Sequence, residues 1–305
     1  MPGLARFVVL TKNPADSLPD VRGTGFPAKP SQCGRLMPAK INHLAIVSEK
    51  YALAGKFYEA MFGMRTSPNA RPARAVTVGD GYVGLNINPR FIGRPARFDH
   101  FGVEVDDAEA TFDHIGRTYP TVKWLKRPTN RPFAGVTTHD PDGNVFDISQ
   151  KAMENRTDIY ADNNALNERH VRHFGFRTLH PDAMADFYSD VFKFRRIDAA
   201  SGDSNRYLTD GHITMVVMPW AITDYDGTGI VSPSMDHIGF QVENLETFKA
   251  DVDRVGGSNP YLAPSLLQGG PEDRARMELA RRSCPLCEHY LVDVDGVLIS
   301  ASESA

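Results

Sequence analysis

The chain has 305 residues, 41% hydrophobic and 24% charged. That is the balance of a globular protein with room for two domains, each with its own core. A net charge of −4 and a pI near 6.2 give no electrostatic basis for partners such as nucleic acid or an anionic membrane, and no apolar run reaches the roughly 20 residues that span a bilayer. Three cysteines make no disulfide framework, so a reducing cytoplasm is the expected compartment.

Residues 1–38 carry a short apolar run, Phe7 to Leu10, and a Pro/Gly-rich stretch, and read as a flexible extension. From 39 the pattern becomes regular. Asn42–Val47 is a short apolar strand, and residues 49–64 place Ala52, Leu53, Phe57, Met61 and Phe62 at helical spacing, with Gly63 as a stop. Strands at 75–78 and 82–87 flank Gly79-Asp80-Gly81, a hairpin signature. The pattern restarts with a strand at 99–105, a helix from Asp106 to Thr118, strands near 121–125 and 135–139, the turn Asp140-Pro141-Asp142-Gly143, and a strand from Val145 to Ser149. Residues 151–168 are polar and read as a linker. A second series follows over 169–305: strand 171–176, helix 181–192, a hairpin around Asp210-Gly211, strand 236–242, helix 244–255 and a last strand after Asp295-Gly296.

The two series align. Asn42-His43-Leu44-Ala45-Ile46 matches Arg172-His173-Phe174-Gly175-Phe176, and Phe57-Tyr58 matches Phe187-Tyr188, at an offset of 130. Asp99-His100 matches Asp236-His237 at 137, and Asp140 and Gly143 match Asp293 and Gly296 at 153. The chain is therefore an internal duplication, and each copy splits again into two βαβββ modules.

Four such motifs in order, twice over, resemble the vicinal oxygen chelate superfamily: glyoxalase I, bleomycin-resistance proteins, certain epimerases and the type I extradiol dioxygenases. The two-domain length is most similar to the last. The resemblance implies an α+β fold in which four βαβββ modules form two tandem glyoxalase-like domains with cupped mixed sheets, at 39–150 and 169–305. It also implies a divalent metal held by residues on the first strand of each module and the last strand of one. Carried onto this sequence, the ligands are His43, His100 and Asp147, with aspartate where the family usually has glutamate. Two imidazoles and one carboxylate leave the opposite face of iron(II), manganese(II) or another divalent metal open for a small-molecule substrate and dioxygen. The second copy offers His173, His237 and Ser300. Serine is no match for a charged ligand, so this copy reads as a degenerate site with structural histidines. Modules pairing across the repeats would let His173 replace His43. The short connection at 89–97 favours pairing within each repeat. A homo-oligomer is a family-level expectation only.

Extradiol enzymes as a family place an acid–base histidine and a tyrosine near the metal. His139 and Tyr82 are the candidates here, although a turn residue bonded to backbone is the simpler reading of His139. Arg127 and Arg131 can grip a carboxylate or phosphate or simply belong to a solvated loop, Trp124 and Phe133 can wall an aromatic pocket or pack in the core, and Asn86 on its strand is a candidate substrate contact. Cys284-Pro285-Leu286-Cys287 is half a zinc site at most and reads as ordinary strand or loop cysteines. The sequence thus points to a metal-dependent dioxygenase of extradiol type. A non-redox isomerase, epimerase or lyase and a metal-free binding or resistance protein are the alternatives.

Overall fold

The computed structural model describes residues 38–66, 75–127, 134–152, 167–264 and 270–303. All of these fall in one compact unit, Gly34–Ala305. Residues 1–37, most of the segment read as a linker, and Arg131 and Phe133 lie outside the described residues.

The first repeat runs β1 (Lys40–Ser48), α1 (Tyr51–Phe62), β2 (Val76–Gly79), β3 (Gly84–Pro89), β4 (Arg97–Val105), α2 (Ala108–Thr118), β5 (Trp124–Lys126), β6 (Val136–His139) and β7 (Val145–Gln150). The second runs β8 (His170–Thr178), α3 (Pro181–Phe192), β9 (Arg195–Ile197), β10 (Arg206–Thr209), β11 (Thr214–Pro219), β12 (Met235–Gln241), α4 (Leu245–Ser258), α5 (Pro271–Ser283), β13 (His289–Val292) and β14 (Leu298–Ser302). Among the described residues each repeat forms one seven-stranded mixed sheet, ordered β2-β3-β1-β4-β7-β6-β5 and β13-β14-β12-β8-β11-β10-β9. In each sheet the two module-opening strands are antiparallel neighbours at its centre, β1 with β4 and β8 with β12. Modules therefore pair within each repeat.

Two elements depart from four equal modules. The strand expected to follow α1 is reduced to a bridge between Arg65 and Gly79. In the last module α5 stands between α4 and the closing strands. The growth of the repeat offset from 137 to 153 residues is the mark of this insertion.

Side-chain alternation along the strands gives each sheet two faces. One packs inward against the other repeat: Phe101 on β4 lies 5.0 Å from Phe174 on β8, ring centre to ring centre. Helix α1 buries Phe57, Tyr58, Met61 and Phe62, and Phe62 stacks on Phe240 of the second sheet at 3.8 Å. Helix α3 does the converse, with Phe187, Tyr188 and Phe192 against Phe146 of the first sheet. Each repeat's first helix is thus core for the other repeat's sheet. Burying such aromatics stabilises by about 1.5–3 kcal/mol each. The other face of each sheet carries the paired histidines. No helix among the described residues is long and apolar enough to cross a membrane.

Candidate metal centre

In the first sheet β1 and β4 run antiparallel with Ala45 opposite His100 and His43 opposite Gly102, while β4 and β7 run parallel with Gly102 beside Asp147. This register gathers His43, His100 and Asp147, whose ligand atoms all lie within 4.8 Å of one another. The Asp147 Oδ2 is 3.4 Å from His100 Nε2 and 3.8 Å from His43 Nε2. Gly102 is required by the packing. A Cβ there would sit 1.9 Å from His43 Cε1, so the imidazole occupies the space a side chain would take.

The outer nitrogens are fixed. His43 Nδ1 lies 2.8 Å from Asn42 Oδ1, and Asn42 in turn donates to Ser149 Oγ. His100 Nδ1 lies 2.9 Å from Asp99 Oδ2, and Asp99 is clamped by Arg94 and Arg97. Such bonds set the tautomer and direct Nε2 inward, as at histidine metal ligands. Thr137 on β6 donates to Asp147 Oδ1, leaving Oδ2 toward the imidazoles. Burial disfavours charge on His100, but its hydrogen bonds and attraction to Asp147 and Asp99 win and raise it to about 9. Burial also works against an ionised Asp99, yet His100, Arg97 and Arg94 bring it down to about 2. Asp147 is likewise held below the usual carboxylate range against burial by His100 and His43. In the absence of a cation the imidazolium and carboxylate neutralise each other. The three atoms form a group that could hold a metal ion.

The neighbouring polar residues were partly legible. Asn86 on β3 pairs with Ala45 of β1, on the same face as His43, and Thr77 donates to its Oδ1 at 3.4 Å. Asn42 and Asp99 were not singled out, although both precede a histidine and the Asp-His pair recurs at Asp236-His237. His139 has both ring nitrogens engaged with backbone. Nε2 accepts from Lys123 N at 3.1 Å, and Nδ1 lies 2.7 Å from Asp140 O. The Tyr82 hydroxyl donates to Asp210 at 2.9 Å and its ring stacks on His212. Trp124 is half-buried on the face away from Asp147: it sits opposite Thr138 on β6 and stacks on Phe112 of α2. Strand parity decides this, since Thr137 and Thr138 face opposite sides. Arg127 follows β5, half-buried, with its amide donating to Gly135 O.

The second sheet repeats the register, with His173 opposite Gly239, His237 opposite Gly175, and Gly239 beside Ser300. Two cysteines stand beside these histidines. Cys284 and Cys287 join His173 and His237 in one cluster whose ligand atoms lie within 4.8 Å of one another. Cys284 follows the end of α5, an element that carried no sequence signal toward the histidines.

Residues 40–148 and 170–259 match the model of the Glyoxalase/Bleomycin resistance protein/Dioxygenase superfamily. The chain belongs to this superfamily. Solved structures share the fold of this superfamily member at low identity. The Mn(II)-bound glyoxalase from Novosphingobium aromaticivorans is 14% identical with a TM-score of 0.57, over 88% of this chain and 83% of that one. The 2,3-dioxygenase LapB from Pseudomonas sp. KL28 is 14% identical with a TM-score of 0.54, over 88% and 94%. A xylose isomerase-like TIM barrel/4-hydroxyphenylpyruvate dioxygenase fusion protein is 16% identical with a TM-score of 0.53 over 92% of this chain, which spans only 52% of the fusion. No curated protein matches the sequence.

Proposed function

We propose that the first cup is the active site of a metal-dependent dioxygenase of extradiol type, with iron(II) or manganese(II) held by His43, His100 and Asp147. The substrate is a small catechol- or hydroquinone-like molecule that presents two adjacent oxygens. The observation that carries this reading is the donor set itself: two imidazoles with fixed outer nitrogens and one carboxylate, gathered on one face of a sheet. This is the ligand set of non-haem iron oxygenases, which keep positions open for substrate and oxygen. A metal bound there supplies Lewis acidity toward a chelating hydroxyl and a template for both reactants.

The chain's own residues do the rest. Asn42 and Asp99 hold the imidazoles in one tautomer. Thr137 orients the Asp147 carboxylate. Asn86, half-buried on the same face, offers a polar contact to substrate. The second reading, non-redox isomerase or lyase chemistry on the same metal, draws support from His139. Its ring nitrogens are both spent on backbone, which takes away the imidazole that ring cleavage would use for proton transfer.

Protein purified without oxygen and assayed for iron and manganese tests the metal. Stoichiometric metal lost in His43→Ala is expected. No metal in the wild type, with function intact in His43→Ala, sinks both enzyme readings. Oxygen uptake with a panel of catechols and hydroquinones separates them: consumption supports the dioxygenase, and metal-dependent turnover without consumption the isomerase or lyase.

A further inference from the structure

We propose that the second cup is a closed structural zinc site formed by His173, His237, Cys284 and Cys287.

Three distances radiate from Cys287 as the edges of a tetrahedral ligand set would. Cys287 Sγ lies 3.4 Å from His173 Nε2, 3.6 Å from His237 Nε2 and 3.3 Å from Cys284 Sγ. Zinc–sulfur bonds of about 2.3 Å and zinc–nitrogen bonds of about 2.0 Å at tetrahedral angles set N···S edges near ~3.5 Å and S···S edges near ~3.8 Å. The two N···S distances match those edges, and the S···S distance is shorter. Two thiolates and two neutral imidazoles around a dication carry no net charge, the condition for burying such a centre. Sulfur donors favour zinc over the harder cations suited to the first cup.

The surroundings differ between the cups in the way the two roles require. At the positions of Thr77, Asn86 and Asn88 the second repeat has Tyr207, Val216 and Met218. Cys284 packs against these three, with Leu286 and Cys287 alongside. The His100 side chain is 18% exposed, whereas that of His237 is 1% exposed. His173 and Cys284 are buried too. Structural zinc sites are closed in this manner, and catalytic ones keep a position open.

The second cup also has its own support. His237 Nδ1 lies 2.8 Å from Asp236 Oδ1. Asp236 Oδ2 is held by Arg177 of β8 at 2.7 Å and by Arg276 of α5 at 2.9 Å. Arg177 also donates to Ser283 Oγ, one residue before Cys284. A carboxylate–histidine–metal relay is thus tied to the helix that delivers the thiols. Ser300, at the position of Asp147, has its Oγ 3.3 Å from His173 Nε2. The short side chain leaves the fourth corner to Cys287. The exchange of aspartate for serine accompanies a change of ligand set and does not mark a decayed site. The inserted α5 is the element that made the change.

The full-length chain expressed with zinc tests this without reference to activity or to the first cup. Expected is about one tightly held zinc per chain, retained in His43→Ala and lost in Cys284→Ser and Cys287→Ser. Cobalt(II) in place of zinc should give thiolate-to-cobalt charge-transfer absorption and the intense visible bands of tetrahedral cobalt. If the serine variants do not fold, the cobalt spectrum of the wild-type chain decides alone. Zinc that survives both serine variants, a wild-type cobalt spectrum without thiolate bands, or a Cys284–Cys287 disulfide in protein purified under reducing conditions overturns the proposal.

Discussion

The Tyr58 hydroxyl donates to Asp293 Oδ2 at 3.2 Å, linking the first helix of one repeat to the last turn of the other. The reciprocal bond runs from Tyr188 to Asp140 Oδ2 at 2.9 Å. Two more exchanges follow the same symmetry. Asp80 accepts from Val171 N and Asp210 from Ile41 N, so each hairpin holds the start of the other repeat's histidine strand. Asp295 accepts from Glu49 N and Lys50 N, and Asp142 from His180 N, the counterpart of Lys50. Asp140 and Asp293, which mark the duplication in sequence, and the hairpin aspartates Asp80 and Asp210 are therefore among the residues that join its halves. They also hold β1 and β8, from which His43 and His173 project.

Removing one hydroxyl should cost stability without touching either cup. Tyr188→Phe strips a donor from a buried carboxylate, and Tyr58→Phe does the same at Asp293. Each is expected to destabilise by about 1–3 kcal/mol. Urea unfolding of the single and double variants checks this, with native metal content as the control. A loss under about 0.5 kcal/mol in both would mean the ties are incidental.

Asp293 gives the pH counterpart. Its burial outweighs the backbone amides of Val297 and Asp295 and the Tyr58 hydroxyl, and raises its carboxyl from 3.8 to about 6. A raised folded-state value means that the folded chain binds the proton more tightly than the unfolded one. The stabilisation is full below pH ~4 and is lost as pH rises through ~6. Asp293→Asn mimics the protonated acid and keeps an oxygen for the two amides. It should match the wild type near pH 4 and exceed it by about 2–3 kcal/mol at pH 7. Unfolding free energies measured across this range test the slope, and a constant difference would refute it.

The duplication and the strand order were legible from local pattern, and His43, His100 and Asp147 from the resemblance those repeated motifs carry. The identity of the second cup was not. Cys284 and Cys287 lie 114 or fewer residues from the histidines they meet, and only the path of α5 brings them there. The widening offset showed that residues had been inserted, but nothing in an exposed helix rich in arginine and glutamate said where its end would dock. For Trp124 the pattern leaves pocket wall and core packing open, because one position along a three-residue strand decides between them.

The bonds to the outer nitrogens should matter to metal affinity as much as to fold. Asp99→Ala removes the partner of His100 Nδ1 and frees Arg94 and Arg97. Asn42→Ala does the same for His43 Nδ1. Each is expected to weaken metal binding at the first cup by about 10–100-fold. Titration of the metal-free chain with manganese(II) checks this. Unchanged affinity in both variants would count against His43 and His100 as ligands.

The sharpest test of the two cups is a single methyl group placed in each. In the first sheet Gly102→Ala puts Cβ 1.9 Å from His43 Cε1, and in the second Gly239→Ala puts it 2.0 Å from His173 Cε1. Neither contact can be relieved without turning the imidazole away. His100 faces Ala45, so its ring already tolerates a methyl there, whereas His237 faces Gly175, where a Cβ would sit 2.5 Å from His237 Cε1. Gly102→Ala should therefore lose the first-cup metal and keep zinc, and Gly239→Ala should do the reverse. Ala45→Gly should leave first-cup affinity within about threefold, at a cost near ~1 kcal/mol for glycine in a strand. Metal content of the three variants, measured for iron, manganese and zinc together, reads all outcomes at once. Joint loss of every metal from either glycine variant would show that the cups do not fill independently.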